Sequence, residues 1–167
     1  MVQMWVNLPA KYKETEPKYQ DLRFNEMTKV DLNNNGFVDV IAGEYQNQKG
    51  KGTTFSPINL FNVRLEKGSK GDFSFPNDFN TAILVIDGSV NVNGNQVLQK
   101  DSFAMFENGK GDTFSLEGLE DNTIVLVMSG EPLNEPIAHY GPFVMNTQEE
   151  LVKAFEDFNA GKFGYLD

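Results

Sequence analysis

Residues 68–88 read GSKGDFSFPNDFNTAILVIDG, opening on Gly68 and closing on Gly88. Within them TAILVID is an apolar run of strand length, and it ends on Asp87-Gly88. Asp-Gly and Asn-Gly favour two-residue hairpin turns, because both central positions of such turns need positive φ. The same pattern recurs from residue 37 onward. FVDVIAG, NLFNVRLE, SVNVN, QVLQ, SFAMFE, DTFSLE and TIVLVMSG either alternate apolar with polar residues or stay apolar over a strand's length. Asn93-Gly94, Asn108-Gly109 and Glu117-Gly118 stand as turn signals between them. Short strands separated by close turns predict an all-β antiparallel sandwich or barrel.

The glycine frame resembles the first motif of the cupin family. That motif runs Gly, five residues, His, one residue, His, three or four residues, Glu, six residues, Gly. With Gly68 and Gly88 as its ends, the His positions fall on Ser74 and Pro76, and the Glu position on Thr81. A neutral imidazole or a carboxylate donates a lone pair to a first-row metal. Proline has no such atom, and a neutral hydroxyl is a poor substitute. The resemblance therefore implies a cupin-type double-stranded β-helix barrel with vacant ligand positions and no metal at Ser74, Pro76 or Thr81. The second cupin motif aligns on Lys100, Phe106 and Gly111, and Gly111 stands where a His is needed. Barrels of this size often hold one ligand. Phe61, Phe73 and Phe106 are the candidate lining of a small-molecule pocket whose ligand the sequence does not name.

At 167 residues the chain is long enough for one domain with a short appendage. It has no cysteine, which excludes thiol catalysis, disulfides and cysteine-based zinc sites. Its net charge of -10, from 14 Lys and Arg against 24 Asp and Glu, repels phosphate. Direct nucleic-acid binding, which needs a basic face, is not expected. No apolar run reaches membrane-spanning length and no signal peptide is evident, so a cytoplasmic protein without membrane contact is expected. DLNNNG at residues 31–36 imitates the first half of a calcium loop. Ala42 stands where the closing Glu is required, so a polar turn is expected instead.

Three segments are expected: an arm over residues 1–30, the barrel over 31–146, and a helix with its tail over 147–167. VQMWV at residues 2–6 reads as an apolar strand holding the only tryptophan, followed by a polar linker with Pro9 and Pro17. Such an opening reads as part of something with more chain before it. Met4, Trp5 and Val6 are the candidate interface, with a second copy or with another chain. QKGKGTTFSP at residues 48–57 is expected to be a mobile loop. Near residues 147–160 a helix is predicted, with Thr147 as N-cap and Glu150 completing a capping box. Leu151, Ala154, Phe155 and Phe158 give it one apolar face, expected to pack on the barrel, and Gly161 ends it.

The run GEPLNEPIAHYGPFVMNTQEELVKAFEDFNAGKFG, residues 130–164, closely resembles the ending of the pirin family. QMWVNLPAKYKETEPKYQDL, residues 3–22, resembles the segment joining the two halves of a pirin. Pirins are two-cupin proteins whose first cupin carries iron on three His and one Glu, and whose second lacks metal ligands. The resemblance covers essentially this whole chain and only the later part of the family's length. It implies no cofactor in this chain, with iron only in an N-terminal cupin that the chain lacks. It implies partners of two kinds, transcription regulators or a metal-bearing cupin on another chain. The function implied is a non-catalytic domain acting through protein contacts, or the metal-free half of a two-cupin assembly. Some pirins open the flavonol quercetin with dioxygen, so a quercetin 2,3-dioxygenase-like activity, available only with a metal-bearing partner, is the alternative. His139, the single histidine, lies outside any ligand spacing and is expected to be structural.

Overall fold

The computed structural model describes residues 2–164, which fall into two compact units. One comprises Lys18–Pro132. The other joins residues 2–17 with residues 133–164.

The larger unit contains β1 (Thr28–Asp31), β2 (Phe37–Ala42), β3 (Glu44–Tyr45), β4 (Gln48–Lys49), β5 (Ile58–Leu65) and β6 (Lys70–Ser74). It continues with β7 (Asn80–Asp87), β8 (Ser89–Val92), β9 (Gln96–Gln99), β10 (Phe103–Met105), β11 (Thr113–Gly118) and β12 (Thr123–Gly130). Every strand run read from the sequence after residue 36 is a strand. A six-stranded antiparallel sheet has the order β1-β2-β5-β12-β7-β10, and a four-stranded one the order β6-β11-β8-β9. The expected closed barrel is instead a pair of open sheets, because β1, β10, β6 and β9 each keep one unpaired edge.

Side chains alternate across a strand, so each sheet sends every second residue into the core. Val38, Val40, Phe61, Val63, Ile83, Val85, Val125 and Val127 enter from the first sheet. Phe73, Val90, Val92, Phe114 and Leu116 enter from the second. Each such side chain contributes about 1.5–3 kcal/mol when fully buried. Aromatic rings run through the middle. Phe73 lies 5.2 Å from Tyr45, 5.3 Å from Phe114 and 6.3 Å from Phe61. Burial pushes the Tyr45 phenol upward from its ordinary pKa, and its hydroxyl donates to the Asp72 carbonyl at 3.2 Å.

Local features depart from the sequence reading at Gly118 and at residues 48–57, while DLNNNG is the polar turn expected. Asn93 and Gly94, at φ 54° and 71°, turn β8 into β9 as predicted, but Gly118 is the last residue of β11, opposite Val90. DLNNNG is a turn between β1 and β2, with Leu32 N donating to Gly36 O at 2.7 Å. Asn33 spends its oxygens on Ser69 and Lys70, where a calcium loop would need them free. Residues 48–57 begin as β4 and are tied down through Gly50 N to Gly43 O, Gly52 N to Ile41 O, and Thr53 to Gln20. The expected mobile loop is therefore held by backbone bonds.

In the smaller unit, β13 (Ala138–Tyr140) and β14 (Phe143–Met145) form a hairpin, and α1 (Gln148–Asn159) follows. The capping box is complete. Thr147 Oγ1 accepts from Glu150 N at 3.2 Å, and Glu150 Oε2 accepts from Thr147 N at 2.9 Å. The apolar face of α1 meets the hairpin: Phe155 lies 4.9 Å from Phe143 and 5.5 Å from Tyr140. Residues 2–17 are stitched to this unit by Ala10 N to Glu135 Oε2, Lys13 Nζ to Val144 O, and the Lys153–Glu14 ion pair. VQMWV is not a strand. A strand exists through its ladder, and residues 2–6 make no backbone hydrogen bond among the described residues. Replacing Thr147 by Ala is expected to destabilise the smaller unit by about 1 kcal/mol. Faster hydrogen exchange of the Glu150 amide is the readout, and an unchanged rate would contradict it.

Candidate functional site

The positions named by the cupin motif do not share one face. Pro76 and Thr81 line a hollow at one end of the core, together with Phe75, Phe106, Gly111 and Phe114. Ser74 does not join them. It is exposed on β6, where burial alternates strictly, so its side chain points away from the core while Phe73 and Phe75 point inward. The motif count missed this by one residue, although the alternation in KGDFSF carried the signal. Ser74 instead lines a shallow polar depression with Asp72, Asn93, Thr113 and Ser115.

The hollow has a volume of about 40 Å³. That is room for a few waters. Phe114 stacks on Phe106 at 4.3 Å, and Phe75 packs at 6.1 Å from Phe114. Phe61 and Phe73, proposed from sequence as pocket lining, are fully buried within the ring cluster, and only Phe106 reaches the hollow. Thr81 Oγ1 shares a 2.8 Å hydrogen bond with Ser129 Oγ, and both residues are buried. Ser129, on the neighbouring β12, was not singled out from sequence because only the register opposite Thr81 brings it there.

These side chains do not fit iron or zinc. Phenylalanine and proline have no donor to offer, the two hydroxyls are neutral and already bonded to each other, and the carboxylates of Glu107 and Asp112, which also line the hollow, have no imidazole beside them. No three His, Cys, Asp or Glu side chains converge among the described residues. His139 is exposed on β13, opposite Val144 in the hairpin. Lys100 is a surface residue that donates to Asp87 Oδ1 at 3.1 Å. This bond, with a further one from Gly88 N, holds the Asp87 carboxyl below the usual carboxylate range and raises Lys100 in return. Asp39 is the fully buried carboxylate, and it accepts from Asn62 Nδ2 at 3.2 Å with Arg64 Nε 3.9 Å away.

The small sheet-on-sheet core, with its motif glycines and its hollow at one end, is that of a cupin. Residues 60–164 match the family model of the pirin C-terminal cupin domain. The chain belongs to the pirin family. A crystal structure of quercetin 2,3-dioxygenase from Acinetobacter baumannii is 43% identical, with a TM-score of 0.90, over 98% of this chain and 56% of that one. Rat pirin is 36% identical over 98% of this chain. A Pseudomonas aeruginosa protein, provisionally named a quercetin 2,3-dioxygenase, is 38% identical over 98% of it. The chain spans 57% and 56% of the length of those two relatives. No helix among the described residues is long and apolar enough to cross a membrane.

Proposed function

We propose that the chain is the metal-free half of a cytoplasmic two-cupin assembly and acts through protein contacts. Its partner in this reading is a metal-bearing cupin on another chain or a transcription regulator. The observation that carries the reading is what faces the hollow. Phe75, Pro76, Thr81 and Phe106 stand there with the carboxylates of Glu107 and Asp112 but no imidazole, and the space left is about 40 Å³. Small-molecule sites run to about 300–1,000 Å³, so a flavonol has no place within this core. The contact surface assigned to the partner is Met4, Trp5 and Val6, which are 39%, 74% and 48% exposed. Large apolar side chains left in water favour burial by roughly 1.5–3 kcal/mol each.

The alternative is an oxygenase assembled in trans, favoured by the 43% identity to the Acinetobacter baumannii enzyme. In that assembly the partner brings the ligands and the flavonol pocket, and this chain supplies none.

The test is to incubate the purified chain with ferrous iron, desalt it, and measure bound iron and quercetin consumption. Iron well below one per chain and no loss of quercetin are expected. Stoichiometric iron with quercetin oxidation by this chain alone would overturn the proposal. Trp5 is the only tryptophan, so its emission reports the proposed contact separately. The emission is expected at the wavelength of a water-exposed ring, shifting to the blue when the partner is added. A blue, concentration-independent emission from the isolated chain would remove residues 4–6 from the interface.

A further inference from the structure

Asn-Gly occurs three times, at residues 35–36, 93–94 and 108–109. Each pair carries the parts of an intramolecular displacement. The glycine N–H can add to the side-chain carbonyl carbon of the asparagine before it, because glycine has no Cβ to obstruct the approach. A backbone N–H already held by an acceptor must first give up that bond. The fold sets the three pairs apart on this point.

Gly36 N donates to Asn33 O at 3.2 Å, and Gly36 is buried. Gly109 N donates to Asn77 O at 2.7 Å, while Asn108 Nδ2 donates to Asn80 Oδ1 at 3.0 Å. Gly94 N has no partner among the described residues, and neither has the Asn93 carbonyl. The peptide between those two residues therefore rotates without breaking a hydrogen bond. A Cβ on Gly94 would meet nothing within 4 Å, so the space around it is open. Asn93 itself is exposed, at the turn between β8 and β9.

We infer that Asn93 is a self-modification site, where Gly94 N displaces the side-chain amide and water completes the conversion to an acid. Gly94 N gives its proton to hydroxide and bonds to Asn93 Cγ. The Cγ–Nδ2 bond breaks, and Nδ2 leaves as ammonia with a proton from water. The five-membered imide that results is opened by water at either of its carbonyls. Opening at Cγ gives aspartate. Opening at the backbone carbonyl of residue 93 gives isoaspartate, with the chain running through the former side chain. The sum is amide and water to carboxylate and ammonium.

The four-stranded sheet supplies an electrophilic group as well. Ser115 N already donates to Asn93 Oδ1 at 2.9 Å. Oδ1 is the atom that takes on negative charge as Gly94 N adds to Cγ, and a donor placed beforehand at such an atom stabilises that charge. Asn93 N donates in turn to Ser115 O at 3.0 Å, which fixes the residue against β11 while its peptide to Gly94 stays free. Asn108 bonds through Nδ2 alone, as a donor, and gains no such help. Aspartate at residue 93 keeps an acceptor for Ser115 N but adds a charge to the shallow polar depression that holds Asp72. Isoaspartate lengthens the backbone of the turn by a carbon atom and disturbs its tie to β11.

The test incubates the intact, folded chain for days in mildly alkaline buffer, beside a sample unfolded in guanidinium chloride. Both are then digested and mapped by mass spectrometry. In the unfolded sample all three asparagines are expected to convert. In the folded chain acid is expected at residue 93 alone, as two products that separate by chromatography. Gly94→Ala places a Cβ beside the attacking nitrogen and is expected to leave Asn93 unconverted over the same interval, with a cooperative melt as the folding control. If that variant does not fold, the comparison of the three sites in the parent chain still decides. No acid at residue 93 of the folded chain, once the unfolded sample has converted, would overturn the inference. Equal conversion at Asn35 or Asn108 in the folded chain would do the same, because the bonds of Gly36 N and Gly109 N would not then set the choice. Conversion of a folded Gly94→Ala at the parent's pace would show that Gly94 N is not the attacking group.

Discussion

Phe73→Ala is expected to destabilise the larger unit by about 3–5 kcal/mol and to lower its thermal midpoint by roughly 10–20 °C. Phe73 is fully buried, and its ring has Tyr45 on one side, Phe114 on another and Phe61 near its edge. Removing it withdraws the transfer free energy of the ring and leaves a cavity as well. The neighbours cannot close that cavity readily, because they belong to different strands held by their own ladders. Whole-domain stabilities are about 5–15 kcal/mol, so this one change removes a large fraction. Phe73→Leu keeps most of the volume and should lose less. Urea unfolding of both variants measures the loss. A fall of less than about 1 kcal/mol for Phe73→Ala would mean that the ring cluster does not set the stability of this core.

Gly88→Ala ranks second, and Gly68→Ala is its control. Both residues have positive φ, 72° and 76°. A Cβ on Gly88 would lie 2.4 Å from Thr123 Oγ1 and 3.0 Å from Thr123 Cα. Thr123 cannot withdraw. It is fully buried, and its one hydroxyl hydrogen is shared between Glu120 O at 2.9 Å and Ser89 O at 3.2 Å. At Gly68 the nearest atom to a Cβ is Asn34 Nδ2, at an ordinary 3.6 Å. The left-handed backbone alone costs roughly 1–2 kcal/mol, and forced overpacking adds about 1–3 kcal/mol. Gly88→Ala is therefore expected to lose about 2–5 kcal/mol, and Gly68→Ala no more than about 1–2. Equal losses in thermal melts would show that the contact with Thr123 is not what requires glycine at residue 88.

The two glycines show what could be read in advance. Their spacing pointed to the cupin fold, but it said nothing of Thr123, which approaches Gly88 only after β12 takes its place. The helix was legible in full, because a capping box is satisfied within four residues of chain. The eight runs after residue 36 were legible through their alternation. VQMWV was not, because its composition suits a strand while strand formation depends on a partner far away in sequence. The two open sheets could not be told from a closed barrel for the same reason, since edge pairing is non-local. At the candidate site, Pro76 and Thr81 were found by counting. Ser74 was misplaced because the count ignored which side of the strand each residue faces. Ser129 was invisible until β7 and β12 were in register.

The smaller unit has a consequence for the timing of synthesis. Ala10 bonds to Glu135, Lys13 to Val144, and Lys153 to Glu14, over separations of 125, 131 and 139 residues. At roughly 5–20 residues per second on the ribosome, Ala10 waits about 6–25 s for a residue 125 positions later to be made. All ten strands of the two-sheet core lie within residues 28–130, so they are complete before Glu135 appears. Throughout that interval Ala10, Lys13 and Glu14 lack these partners of the finished fold. Those three ties therefore close only after the strand core has been made, and that window is when a cotranslational chaperone or an early-binding subunit would find the segment untethered.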